Sequence, residues 1–388
     1  MADAKKHTVA DIKTILADRG LDGSGKEIWA KRLSEITEDE AKWALSRKPG
    51  YYVLDRLLIL ISPAAENYIE QMAQIAHQLT LQRFGKTVRL YAPLYVSNYC
   101  VNDCVYCGFN KSHKFPRIRL TIEQALAEAD IIAKEGFRDL LLVSSEDKKF
   151  ITVDYLIELA SKLRPKFSSL SVEIYQMSAD KYAKLFAAGI EGVTLYQETY
   201  NRETYRKYHP VGPKADYDYR LIAADSMGQG GMREIGIGAL LGLDDWRLET
   251  LALAEHAHYL MKQYWKSRVS FSFPRLRPAK DVDRAQFNLL FDKNLVQMLL
   301  ALRLCFADAG MTISTREPAH LRDQLVKLGI TRMSAGSKTN PGGYSTHADS
   351  VGQFDIDDSR SPAQIAAMLK SQGLEPVWKD WDTAFTDA

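Results

Sequence analysis

Eight short runs rich in β-branched and apolar residues, each separated from the next by a stretch of helical period, predict an α/β chain closed into a (β/α)8 TIM-type barrel. Two further observations frame that barrel. A helical N-terminal extension precedes the first strand, and a short, turn-rich C-terminal extension follows the last. The chain is therefore divided into a helical extension over 1–86, the barrel over 87–340, and a C-terminal extension over 341–388 packed on the barrel. The predicted strands are 88–96, 139–144, 170–175, 192–196, 234–240, 268–273, 311–314 and 330–334. An open, doubly wound sheet is the competing architecture for the same alternation.

Each element has its own signal. Thr37, followed by Glu38, Asp39 and Glu40, caps a helix over AKWALSRK, with acids in the first turn where the helix dipole favours them. A long amphipathic stretch covers 63–83 and stops at Gly85. Thr121 with Gln124 reads as a capping box. Val153, Leu156, Ile157, Ala160 and Leu163 form one apolar helical face. The acidic, turn-rich segment 349–362 reads as a surface excursion, and a short helix over 362–373 follows it. Trp378 and Trp381, in VWKDWD, are expected to pin the tail to the body.

Composition narrows the function. Hydrophobic residues make up 46% of the chain and charged residues 26%, enough for a sizeable core and a solvated surface. With 51 basic and 49 acidic residues the net charge is +2, which gives no case for a nucleic-acid or acidic-membrane partner. The apolar run 57–61 is far too short to cross a bilayer. The opening MADAKKHTVADIK has charges but no apolar core, so it does not read as a secretory signal, and a reducing cytoplasm is the expected location.

Three of the four cysteines fall within one short run, Cys100-Val-Asn-Asp-Cys104-Val-Tyr-Cys107. A disulfide framework would spread them along a small secreted chain, whereas a tight cluster in a large one reads as a metal site. Three thiolates on one loop can wrap a cubane cluster, each taking a different iron and leaving the fourth iron open to chemistry. The structural alternative is zinc, closed by His113 six residues past Cys107. No second CxxC supplies the usual second pair of ligands. Cys305, in LLALRLCF, reads as an inert core thiol. In a barrel, functional residues gather at the C-terminal ends of the strands. Arg275 and Arg316 fall at such ends, and arginines at a barrel mouth suit a carboxylate-bearing substrate.

The C-x3-C-x2-C loop, with the aromatic Tyr106 just before its last cysteine, resembles that of the radical S-adenosylmethionine (SAM) superfamily. The resemblance implies a [4Fe–4S] cluster on Cys100, Cys104 and Cys107, an open iron chelated by SAM, and release of a 5′-deoxyadenosyl radical on one-electron reduction. It implies cofactor contacts at Tyr106, at Glu146 for the SAM amino group, at Glu198 in YQETY for the ribose hydroxyls, and at Arg220 in DYDYRL for the SAM carboxylate. Gly238, within GIGALLG over 236–242, would lie against the adenine. Ser145 stands where relatives carry glycine, which weakens the backbone part of that carry-over.

YCVNDCVYCGFN, YQETY, SFPRLRP, STRE, SAGSKTNPGGY and GLEPVWKDWD together resemble the tyrosine lyases of that superfamily, over about 91–382. The nearer branch cleaves the Cα–Cβ bond of L-tyrosine to 2-iminoacetate (dehydroglycine) and p-cresol for the thiazole ring of thiamine. Ser314 and Arg316 would then hold the substrate carboxylate, with Arg275 a looser candidate. The tyrosine lyases of hydrogenase maturation are the other branch. They carry a second cysteine cluster near the C-terminus, and no cysteine follows Cys305 here. His256 matches a histidine of that branch, so it does not separate the two, and a helix-packing role is expected. A non-catalytic, structural metal-binding protein is the reading from another class; it leaves the ordered strand-end residues unexplained. The partners implied are thiazole synthase with its sulfur-carrier protein, and an electron donor such as flavodoxin or ferredoxin.

Overall fold

The strands close on themselves. In the computed structural model, which describes residues 10–379 apart from 284 and 286, eight parallel strands form the barrel: β1 (Thr87–Ser97), β2 (Asp139–Ser144), β3 (Ser169–Glu173), β4 (Gly192–Thr194), β5 (Glu234–Gly238), β6 (Arg268–Ser272), β7 (Gly310–Ile313) and β8 (Arg332–Ser334). Strand β1 is the seam. Its Arg89–Tyr91 stretch pairs with β8, and Ala92 to Ser97 pair with β2. That stagger is what tilted strands require in a closed sheet, and it removes the open-sheet alternative. Every β1 residue from Val88 to Ser97 is buried, as expected for a strand between barrel core and outer helices.

The N-terminal helices pack onto the outside of this barrel. Thr37 and Glu40 form the capping box that starts the helix Glu38–Ser46. The stretch predicted over 63–83 opens with a 3-10 turn, Ala64–Tyr68, before the α-helix Ile69–Phe84. The helix Ile69–Phe84 lies against Asp292–Cys305 and Ala319–Leu328. Fully buried Arg56 ties the layers, donating to the carbonyls of Ala44 (3.0 Å), Tyr51 (2.6 Å) and Leu304 (3.2 Å). One apolar core runs from Ile12 to Leu369, so the extensions share the barrel's hydrophobic interior.

The C-terminal extension departs from expectation. The segment 349–362 lies at the surface as expected, but it is tied across the top of the barrel rather than looping free. Gly108 N donates to Gln353 O (3.2 Å), Asp355 N to Pro278 O (2.8 Å), and Asp357 N to Thr315 O (3.0 Å). Two of its acids meet arginines there: Asp357 pairs with Arg277, and the buried Asp358 with Arg322 and Arg360, while Asp349 and Asp355 stay exposed. At the other end of the barrel, β9 (Glu375–Val377) pairs with the start of β1. The Trp378 carbonyl accepts from Arg138 N (2.9 Å) and its ring meets Phe137 edge-on, which is the pin predicted for the tail. Trp381 lies outside the described residues.

Below β9 and the strand starts, five buried or half-buried charges interlock. Asp139 forms ion pairs with Arg89 and Arg332 (2.8 Å each), and Glu234 with Arg89 (3.0 Å) and Arg268 (2.7 Å).

Candidate active site at the barrel mouth

At the C-terminal ends of the strands a cleft opens, partly to solvent. Cys100, Cys104 and Cys107 line it, together with Tyr106, Glu146, Glu173, Glu198, Lys214, Arg220 and Arg316. The cysteine loop leaves β1 and is shaped by its own backbone bonds. Cys107 N donates to Cys104 O (3.2 Å), and Asn110 Nδ2 donates to the same carbonyl (2.9 Å). Val101 N donates to Glu146 O (2.9 Å) and Val105 N to Tyr208 O (3.1 Å), so the loop after β2 and the end of the helix Arg202–Tyr208 clamp it. Gly108 passes directly beneath the C-terminal segment. A Cβ there would stand 2.8 Å from Gln353 O, so only glycine permits the contact.

The thiols are free, with no disulfide between them. Burial pushes the Cys104 thiol up to about 12 and that of Cys107 to about 11, with Lys214 acting against burial in both. Such thiols become ligands only by giving up a proton to an incoming metal. Among the described residues, no three His, Cys, Asp or Glu side chains converge on a single-ion site. His113 instead turns its Nδ1 to Gly108 O (3.2 Å). Three thiolates around one cleft, without a fourth ligand, suit a multi-iron cluster better than a closed zinc site.

The acids beside the loop have contrasting environments. Glu146 accepts from Asn102 Nδ2 (2.8 Å) through Oε2, while its buried Oε1 has no hydrogen-bond partner and meets only Lys148 at 3.6 Å. That orphaned oxygen fits a ligand ammonium group. Glu198 accepts from Lys214 Nζ (2.5 Å) and faces Arg220 at 3.7 Å. Burial would raise its carboxyl, yet Lys214 and Arg220 hold it below the ordinary value. Its backbone sits at φ 72°, in the left-handed region that a non-glycine residue occupies at a cost. Arg220 is aimed by Tyr196 O (2.8 Å) and Gln176 Oε1 (3.2 Å). Tyr106 Oη and His209 Nε2 lie 2.8 Å apart, and burial drives His209 down to about 3, so the ring is neutral.

The cleft thus gathers the three cysteines, Tyr106, Glu146, Glu198, Arg220 and Arg316, but not every predicted residue. Gly238 lies behind its wall: a Cβ there would come within 2.7 Å of Ser272 O and 2.9 Å of the Tyr196 ring, so the glycine makes room for cleft-lining Tyr196. Arg275 is turned away, its guanidinium engaged by Glu317, Asp292 (2.7 Å) and Leu290 O (3.0 Å), because the start of the helix Asp292–Cys305 and the loop after β7 each supply it with a carboxylate. Ser314 does not line the cleft; its Oγ accepts weakly from Arg316 N (3.4 Å). Sequence reasoning missed Glu173, Lys214, Gln353 and Phe354. Glu173 had a signal, an acid within the apolar strand predicted over 170–175. Phe354, whose ring lies 3.3 Å under the Arg316 guanidinium, had none in its acidic surroundings.

The chain resembles known proteins in sequence and fold. Residues 94–254 match the Radical SAM superfamily and 272–375 the Biotin and Thiamin Synthesis associated domain. The chain is 44% identical to the 2-iminoacetate synthase of Escherichia coli K12 over 85% of its own length and 87% of the relative's. It is 45% identical to that of Salmonella typhimurium LT2, with the same coverage. Among solved structures, HydG, a maturase of the [FeFe]-hydrogenase, superposes with a TM-score of 0.87 at 31% identity, over 95% of this chain and 82% of HydG. The chain therefore belongs to the radical SAM superfamily and, within it, to the 2-iminoacetate synthases: it is a radical SAM lyase, with the [4Fe–4S] cluster and S-adenosylmethionine which that family implies.

Proposed function

We propose that this protein cleaves the Cα–Cβ bond of L-tyrosine, giving 2-iminoacetate and p-cresol for thiamine thiazole synthesis. The observation that carries the reading is the meeting of three free thiols with an orphaned carboxylate oxygen of Glu146 in one strand-end cleft. When bound, the reduced cluster and SAM supply a 5′-deoxyadenosyl radical. The chain's own residues bind and orient around that chemistry. Cys100, Cys104 and Cys107 hold the cluster. Glu146 accepts from the SAM ammonium, Arg220 pairs with its carboxylate, and Glu198, steadied by Lys214, takes the ribose hydroxyls. Tyr106 floors the pocket beside neutral His209, and Gly238 acts through Tyr196. Arg316, with Ser314 beside it, receives the substrate carboxylate, and the Phe354 ring stacks on its guanidinium. The C-terminal segment shields the cleft from water, which an imine product requires because water hydrolyses it.

Direct handover of that imine to thiazole synthase and its sulfur-carrier protein follows from the same instability. A low-potential flavodoxin or ferredoxin in a reducing cytoplasm fits the need for single electrons. Anaerobically reconstituted protein given SAM, reductant and tyrosine is expected to yield p-cresol and 5′-deoxyadenosine together. Deoxyadenosine without p-cresol would exclude tyrosine as the cleaved substrate.

A further inference from the structure

Seven charged side chains line the cleft, and five of them meet an ion-pair partner through at least one atom. Glu146 has Asn102 and Lys148; Glu198, Lys214 and Arg220 hold one another; Arg277 pairs with Asp357. Glu173 and Arg316 remain. Among the described residues neither joins an ion pair. The only hydrogen bond of the Glu173 carboxylate is a long one from Tyr196 Oη (3.4 Å). Arg316 has the Phe354 ring and a marginal contact to Arg275 O (3.5 Å).

The two sit on opposite walls. Glu173 ends β3 and Arg316 follows β7, and four strand steps separate those strands either way round the closed sheet. They nevertheless feel each other across the cleft. Burial raises the Glu173 carboxyl, and Arg316 is the strongest influence opposing that rise. An anion and a cation that share a water-poor cleft without touching leave room for a ligand carrying the complementary charges. An α-amino acid is such a ligand.

We infer that Glu173 receives the α-ammonium group of the substrate while Arg316 receives its carboxylate, so that the cleft recognises an amino acid by both of its charges. The inference rests on the amino-acid lyase reading above and adds Glu173 to it as a specificity-determining residue. It also accounts for a carboxylate kept at the end of β3 without a cation of its own, since any lysine or arginine paired with it would compete with the substrate.

The test is equilibrium binding to anaerobic, cluster-loaded protein saturated with SAM, using three probes. L-tyrosine carries both charges, 3-(4-hydroxyphenyl)propanoate lacks the ammonium, and tyramine lacks the carboxylate. Glu173→Gln is expected to weaken tyrosine and tyramine at least tenfold and to leave the propanoate within about twofold. Arg316→Gln is expected to weaken tyrosine and the propanoate while sparing tyramine. Glu173→Asp, which keeps the charge, should recover part of the tyrosine affinity and guards against a folding defect; SAM affinity should stay unchanged in all three variants. Equal losses for all three probes in Glu173→Gln, or undiminished tyrosine binding, overturn the assignment. If the parent protein binds a different aromatic L-amino acid and Glu173→Gln weakens that one selectively, the charge pair stands and the choice of tyrosine falls.

Discussion

The two ends of the barrel are built from the same residue types and reach opposite results. At the bottom, Arg89, Asp139, Glu234, Arg268 and Arg332 answer one another, and each carboxylate meets two guanidinium groups. Burial opposes ionisation of Glu234, but those arginines hold its carboxyl well below the ordinary range. At the top, Glu146 keeps an unpartnered oxygen, Glu198 occupies strained backbone, and Glu173 and Arg316 lack counter-ions. The lower network is closed and holds strands in place; the upper one is incomplete and takes ligands. Charge at a strand end is therefore uninformative by itself. What distinguishes binding from scaffolding is whether the protein satisfies the charge internally.

That contrast can be broken in order of effect. Replacing Cys100, Cys104 or Cys107 by Ala should abolish both p-cresol and 5′-deoxyadenosine and lower the iron and sulfide content, with the apoprotein's denaturation midpoint nearly unchanged; normal turnover in any one of them would refute the ligand set. Asp139→Asn should do the reverse. It strands Arg89 and Arg332 at the barrel floor and is expected to cost about 3–5 kcal/mol by denaturant titration, while turnover per folded molecule is retained. A large loss of turnover with intact stability would dissolve the distinction between the ends. Phe354→Ala removes the ring beneath Arg316, an interaction of about 0.5–2 kcal/mol, so tyrosine KM should rise by roughly 2- to 30-fold with little change in kcat.

A further effect, absent at neutral pH, is a pH dependence away from both ends. His256 is buried on the helix Trp246–Gln263, its Nδ1 2.9 Å from Tyr200 Oη and its Nε2 unpartnered. Burial lowers it to about 3, so it stays neutral in the fold, whereas the unfolded chain binds a proton below about 6.5. Stability should therefore be unaffected by His256 above that pH and fall as pH drops from 6.5 toward 3, by up to about 1.4 kcal/mol per pH unit. His256→Gln should flatten that slope in acid denaturation curves. An unchanged slope would show that the ring is not neutral in the fold.

Much of this was legible in the chain before folding. The strands announced themselves because both barrel faces are buried, and β2 falls exactly where its run of Leu140, Leu141, Leu142 and Val143 sits. The cysteine loop was legible because its ligands are adjacent in sequence. What escaped depends on long-range pairing. Asp357 and Asp358 looked like solvated acids until Arg277, after β6, and Arg322, on the helix Ala319–Leu328, came to meet them. Arg275 and Arg316 are indistinguishable by position, and only the proximity of Glu317 and Asp292 removes the first from the cleft. Lys214 was invisible as a partner for Glu198 because it lies on a 3-10 turn, Pro213–Ala215, rather than at a strand end.

The left-handed backbone at Glu198 has a consequence for how this sequence can drift. Glycine or asparagine would sit there with less strain, gaining about 1 kcal/mol or more. Selection for heat tolerance alone would therefore be drawn to that position, and the variants it collected would be sturdier proteins whose Lys214 and Arg220 had lost their shared carboxylate. A consensus-stabilised or laboratory-hardened version of this chain should hold residue 198 fixed.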